Sequence, residues 1–168
     1  MKKVVKFGGS SLASAEQFKK VGAIIRSDAG RRFVVPSAPG KRFSEDIKVT
    51  DMLYACYALA AEGKEFAKEL RQIERRYQEI IDGLELKLSL EKEFSLIREN
   101  FTNKAGKDYA ASRGEYLNSI IMANYLGYEF VDAAEVIVFR EDGSFDMEKT
   151  TEVLGARLTA MKNAVITG

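Results

Sequence analysis

The sequence has no histidine, no tryptophan, one cysteine and two prolines in 168 residues. Without histidine there is no Ser-His-Asp or Cys-His nucleophile, no histidine-ligated zinc and no histidine pH switch. The lone cysteine, Cys56, excludes an internal disulfide and a multi-cysteine metal site. It fits a reducing, cytoplasmic setting. Charge of one sign is not in excess either: 26 Lys and Arg against 25 Asp and Glu leave a net charge of +1. No bulk field therefore draws nucleic acid or an anionic membrane to the chain. The longest apolar run, Met52 to Ala61, is ten residues, against the ~20 that span a bilayer. Lys6 and the Gly8-Gly9 pair interrupt any signal-peptide pattern at the start.

What is present describes one globular unit. Hydrophobic residues make up 46% and charged residues 30%, ordinary values for a folded domain. Both prolines, Pro36 and Pro39, lie in one short stretch, and no Pro-rich or Gly/Ser-rich linker divides the chain. Lys3–Phe7 reads as a strand, followed by Gly8-Gly9-Ser10-Ser11 and a helix over Ala15–Arg26. Ser14 and Gln17 form a capping-box pattern, and Phe18, Val21, Ile24 and Ile25 fall on one helical face. A second strand at Phe33–Pro36 completes a βαβ unit, whose strands should be parallel and buried. Helices are expected over Thr50–Glu62, Lys64–Asp82, Leu88–Asn103 and Asp108–Leu126, with Gly83 as a C-terminal stop. The mixed charges of residues 64–104 suggest a solvated helical surface. Tyr128–Val131 and Val136–Phe139 read as strands, Met147–Met161 as a helix capped by Asp146, and Ala164–Thr167 as a last strand.

Three stretches can carry chemistry. A lysine in a strand buried on both faces is costly unless an anion compensates it. In Lys6-Phe7-Gly8-Gly9-Ser10-Ser11 the glycines let backbone N–H groups approach a ligand, and the helix start adds positive dipole. A phosphate suits this arrangement. Equally, Gly-Gly merely turns the chain while Lys6 extends past the sheet end. Ser37, in Val34-Val35-Pro36-Ser37-Ala38-Pro39-Gly40, sits at a strand's carboxyl end, where open α/β sheets bind ligands. Thr50 either caps the next helix or donates a hydrogen bond to a substrate. Gly114, in Ser112-Arg113-Gly114-Glu115, costs a helix about 1 kcal/mol relative to alanine. Some neighbour should require its missing side chain, and Glu115 beside it can orient an amino group.

Together these stretches resemble the amino-acid-kinase family, and within it the aspartokinases. Lys6-Phe7-Gly8-Gly9-Ser10-Ser11 is similar to the family's opening signature, and Val35-Pro36-Ser37-Ala38-Pro39-Gly40 to its next strand-end loop. Thr50-Asp51 resembles the substrate-contacting threonine that follows, and Ser112-Arg113-Gly114-Glu115 the Ser-x-Gly-Glu motif. The resemblance implies a three-layer αβα sandwich with a mostly parallel sheet, incomplete in this chain. It also implies ATP-dependent phosphorylation of the L-aspartate side-chain carboxylate. Lys6 would act catalytically, and Lys6, Phe7, Gly8, Gly9 and Ser10 would bind ATP phosphates. Ser37, Thr50 and Glu115 would line the aspartate site, with Glu115 also holding Lys6. No metal ligand is assigned to the chain, and ATP with Mg2+ is expected for the full-length enzyme, as is a homo-oligomer.

In that family the strand resembling Ala164–Thr167 leads into a Gly-Phe loop, the nucleotide-binding half and ACT domains. Residues 1–168 are thus expected to be the N-terminal, acceptor-binding part of a catalytic domain. Another amino-acid-family kinase, acting on glutamate, acetylglutamate or uridylate, is the alternative enzyme. A non-catalytic binding module is the alternative outside enzymology.

Overall fold

A computed structural model describes residues 1–168. The expected βαβ opening is present as β1 (Lys3–Phe7), α1 (Ala15–Arg26) and β2 (Arg31–Pro36). Ser14 Oγ accepts from the Gln17 backbone N–H at 3.4 Å, so the Ser14 half of the capping box forms. Phe18, Val21 and Ile25 are buried beneath α1, whereas Ile24 turns outward and is 48% exposed.

The sheet contains four parallel strands in the order β1-β2-β4-β3, with β3 at Glu129–Val131 and β4 at Ala164–Ile166. Its last strand in sequence thus lies inside the sheet. Side chains alternate between two faces, as pleating requires. Val34 and Val165 enter the main core with Phe18, Leu53, Ile73, Tyr77, Phe101 and Leu117. Their neighbours Phe33 and Ala164 join Val131, Val136 and Met161 in a smaller core on the other face.

Helices α2 (Val49–Ala61), α3 (Ala67–Gly83), α4 (Glu91–Thr102) and α5 (Lys107–Leu126) build the main layer with α1. Of these, α5 is the central element. It touches β2, β3 and β4 on one side and α2, α3 and α4 on the other. The short α6 (Ala133–Val136) and α7 (Met147–Thr159) lie on the smaller-core side, where Val153, Leu154 and Leu158 pack. The three-layer α/β arrangement is therefore as expected. No helix is long and apolar enough to cross a membrane.

Two local expectations are corrected. Val136–Phe139 is not a strand: Asp132 accepts from the Ala134 N–H and starts α6, and the Val138 N–H goes to Thr150 Oγ1 at 2.9 Å. A single antiparallel bridge, Phe139 to Phe145, is the only strand-like pairing there. Four apolar residues fit either element, and the side-chain acceptors decide.

Gly83 ends α3 as expected, although the positive φ (56°) falls two residues later at Glu85. Space is also short there: a Cβ on Gly83 would stand 2.5 Å from Ala15 Cβ.

Finally, β1 is not buried on both faces. Val5 and Phe7 pack on the main core, while Val4 is 66% exposed and Lys6 is also exposed. As an edge strand of this sheet, β1 contributes nothing to the smaller core. Within residues 1–168, Lys6 is therefore not enclosed by the sheet's two helical layers.

Buried Tyr77 on α3 donates from its hydroxyl to the Gly114 carbonyl on α5 at 2.7 Å. A Cβ on Gly114 would come within 2.7 Å of Ala38 Cβ, in the loop after β2. Here is the neighbour that requires the helical glycine. Tyr77→Phe should cost about 1 kcal/mol, the net worth of one hydrogen bond. Gly114→Val should cost more, because over-packing adds about 1–3 kcal/mol. Thermal melts rank the two; equal midpoints for Gly114→Val and wild type would contradict the packing assignment.

Cys56 is buried with its Sγ against the Phe66 carbonyl, and burial, then the Glu69 charge, pushes its thiol up to about 12. Thiolate is the reactive form. A disulfide-exchange reagent at pH 8 should label Cys56 only as the protein unfolds, so rapid labelling of the native chain would contradict its placement.

Candidate active site

The carboxyl ends of β1 and β2 are joined by backbone contacts. The Ser37 N–H donates to the Phe7 carbonyl at 3.0 Å, and the Gly40 N–H to the Gly9 carbonyl at 2.8 Å. Contact is so close that a Cβ on Gly40 would lie 2.6 Å from the Gly9 carbonyl carbon. A Cβ on Gly9 would lie 2.8 Å from the Ala38 carbonyl oxygen. Only glycine at both positions lets the two loops meet without displacement. From Gly9 the chain enters a 3-10 turn, Gly9–Leu12.

Beside this junction lies a cleft of about 470 Å³. Gly9 and Ser10 line it from the first loop, Ser37, Ala38, Pro39, Gly40 and Lys41 from the second, Lys48 and Thr50 from the start of α2, and Glu115 from α5. Gly9, Ser10, Ser37, Thr50 and Glu115, singled out in sequence, are thus brought together. Lys6, Phe7 and Gly8 do not line the cleft. Lys6 pairs in register with Val35, before the strand end.

The polar groups are held from below. Asn118, fully buried on α5, donates from Nδ2 to the Ser37 carbonyl at 2.7 Å. Glu115 Oε1 accepts from the Ala38 N–H at 3.5 Å. The structure records this contact for Glu115 and no ion pair with Lys6, so the role of holding Lys6 is not seen. Thr50 is not a cap: α2 begins at Val49 after Lys48, without a side-chain cap bond. Its hydroxyl remains available to the cleft. Ser112 bonds back to the Tyr109 carbonyl of its own helix. From Ser-x-Gly-Glu, only Gly114 and Glu115 therefore face this region.

Residues absent from the sequence reading complete the site. Lys41 and Lys48 bring two positive charges to the rim. Arg76 on α3, in a stretch expected to be solvated, is 4% exposed and reaches beneath the loop between them. The signal was present: Arg76 shares a helical face with Ile73, Tyr77 and Ile80. Its partner Asp46 also accepts from Arg42, and these bonds hold its carboxyl well below the usual carboxylate range.

A different cavity, about 910 Å³, opens between α3 and α4 and includes Arg71, Glu74, Phe94 and Arg98. None of the sequence-predicted site residues lines it. The smaller cleft is the chemically assembled one, because it combines glycine backbone, hydroxyls, a carboxylate and two ammonium groups.

Known proteins with similar sequence or structure are consistent with this architecture. Aspartokinase 3 of Bacillus subtilis is 40% identical over 143 residues, covering 80% of this chain and 31% of that protein. The crystal structure of Clostridium acetobutylicum aspartate kinase matches with a TM-score of 0.95 and 48% identity, over 100% of this chain and 39% of that one. Escherichia coli aspartokinase III in complex with aspartate and ADP matches in fold, with a TM-score of 0.77 at 22% identity, over 100% of this chain and 40% of that one. The chain thus spans between three and four tenths of the length of these relatives. The amino acid kinase family model matches residues 1–167, and the chain belongs to that family.

Proposed function

We propose that residues 1–168 are the N-terminal, acceptor-binding part of an aspartate kinase catalytic domain. The complete enzyme transfers a phosphoryl group from ATP to the L-aspartate side-chain carboxylate, giving 4-phospho-L-aspartate. The observation that carries this reading is the assembly of Ser37, Thr50 and Glu115 around one cleft with Gly9 and Ser10. The aspartate kinase relatives support the choice of acceptor.

The cleft chemistry agrees. L-Aspartate carries two carboxylates and one ammonium, a net charge of −1 at neutral pH. Lys41 and Lys48 against Glu115 give the lining a net charge of +1. Glu115 is placed to receive the ammonium, and the Ser37 and Thr50 hydroxyls to bond carboxylate oxygens. The acceptor carboxylate is ionised far below neutral pH and needs no general base. A chain without histidine is therefore adequate. The residues work by aligning the acceptor and neutralising charge.

ATP brings the phosphoryl group. Gly8, Gly9 and Ser10 offer backbone donors to its phosphates, and Lys6 stabilises the group in transfer. Glu115 is the one carboxylate in the cleft lining, and no three acidic, cysteine or histidine side chains gather to hold a metal. These residues do not form a Mg2+ site of their own.

The nucleotide-binding half and ACT domains belong to the longer protein, as does a homo-oligomeric assembly. On this reading the enzyme is cytoplasmic and opens the route to lysine, threonine and methionine.

The test is a coupled ADP-release assay. The full-length protein should phosphorylate aspartate in preference to glutamate, acetylglutamate or uridylate, and residues 1–168 alone should not turn over. Preference for another acceptor overturns the assignment. In the full-length protein, Lys6→Ala should lower kcat about 100-fold or more, the scale for losing one transition-state contact. Glu115→Gln should act mainly on the aspartate KM. Unchanged turnover in Lys6→Ala removes that residue's role.

A further inference from the structure

The segment from Gly40 to Lys48 leaves the cleft and returns to it, and both ends are bound by one guanidinium. Arg76 Nη2 donates to the Gly40 carbonyl at 3.0 Å. Its Nη1 donates to Asp46 Oδ2 at 2.9 Å and to the Ile47 carbonyl at 3.3 Å. Gly40 directly precedes Lys41, and Ile47 directly precedes Lys48, the two lysines of the cleft lining. Gly40 is also the residue whose N–H reaches Gly9. The Val49 N–H then donates to the Pro39 carbonyl at 3.1 Å, closing the excursion at the start of α2.

We infer that Arg76 is a positioning residue for the acceptor cleft, a clamp that sets the Lys41–Lys48 segment and, through it, Thr50. The inference rests on the acceptor reading above. A planar guanidinium can satisfy three acceptors held at fixed angles, whereas an ammonium acts as a point charge. Asp46 serves as the counter-charge: it receives Arg76 together with the Arg42 side chain and backbone N–H. Burying an arginine at this point is costly; its two Nη atoms reach Gly40, Asp46 and Ile47, while the buried Nε has no partner. Ionic attraction to Asp46 alone does not account for the bonds to Gly40 and Ile47, which join the segment's two ends. Arg76 is not itself part of the cleft lining, and its bonds to Gly40 and Ile47 are to backbone carbonyls, so its effect passes through the backbone.

Arg76→Lys and Arg76→Met in the full-length protein test the clamp, with Glu74→Gln as control. Glu74 lies on the same helix, pairs with Arg98 on α4 and is not part of the cleft lining. Steady-state kinetics with aspartate and ATP varied separately are read beside hydrogen exchange of the 41–48 amides. Both Arg76 variants should raise the aspartate KM by about 10- to 100-fold, the scale of a small misplacement. The ATP KM should stay within about twofold. Exchange should quicken over 41–48 and not in α1, while Glu74→Gln changes neither readout.

Full recovery of the aspartate KM in Arg76→Lys overturns the clamp, because charge alone then suffices. So does a fall in apparent kcat that tracks only the folded fraction while both KM values stay unchanged. Should Arg76→Met fail to fold, Arg76→Lys and Asp46→Asn carry the test. If wild type prefers another acceptor, the aspartate reading falls. The clamp is then judged by that acceptor's KM and by exchange.

Discussion

Two backbones cannot approach within van der Waals contact if either carries a Cβ at the point of contact. That constraint governs the junction between the loops after β1 and β2, where Gly9 and Gly40 meet. Everything chemically interesting lies around it. Because the loops touch, their amides and carbonyls pair, and the 3-10 turn starting at Gly9 is held against Gly40. Ser10, Ser37 and the start of α2 are then held as walls of one cleft. A third close contact, Gly114 against Ala38, lets α5 approach and bring Glu115 to the same place. Small residues here create proximity rather than flexibility.

Proximity alone would leave polar backbone exposed to an apolar interior, so buried side chains complete the hydrogen bonding. Asn118 takes the Ser37 carbonyl, Tyr77 the Gly114 carbonyl and Arg76 those of Gly40 and Ile47. Two of these side chains lie on α3 and one on α5, the helices that also fill the main core. Packing of the helical layer and geometry of the cleft are therefore coupled. Apolar residues such as Ile73 and Ile80 place α3, and the polar residues among them reach the loops from that position. The aromatic body and polar tip of Tyr77 do both at once.

Much of this was legible in the chain. The glycine-rich opening and Glu115 stand out because glycine after a strand or in a helix invites explanation, and Ser37 because it follows a strand's carboxyl end. The helices of the main layer were legible to within a few residues at their ends, α1, α3 and α4 from apolar spacing at 3.6 residues and α2 from its apolar run. Failures have specific causes. Val136–Phe139 is too short for periodicity to separate helix from strand. Ile24 lies at the border of its helix's apolar face and turns outward. Arg76 was lost in a stretch whose average charge suggested solvent, although its own face is apolar. Averages hide the one buried charge that matters.

Sequence by itself determined the α/β class, the parallel βαβ opening and the types of chemistry open to a chain without histidine. These depend on local steric preference, hydrophobic period and residue inventory, all of which are written in one dimension. Only the tertiary structure decided that β4 enters between β2 and β3, and that Lys41 and Lys48 join the cleft. It alone decided that Thr50 is free of capping and that Arg76 holds the segment between the lysines. The physical reason is that such contacts join residues tens of positions apart. Their energies depend on distance and burial, which no local pattern encodes.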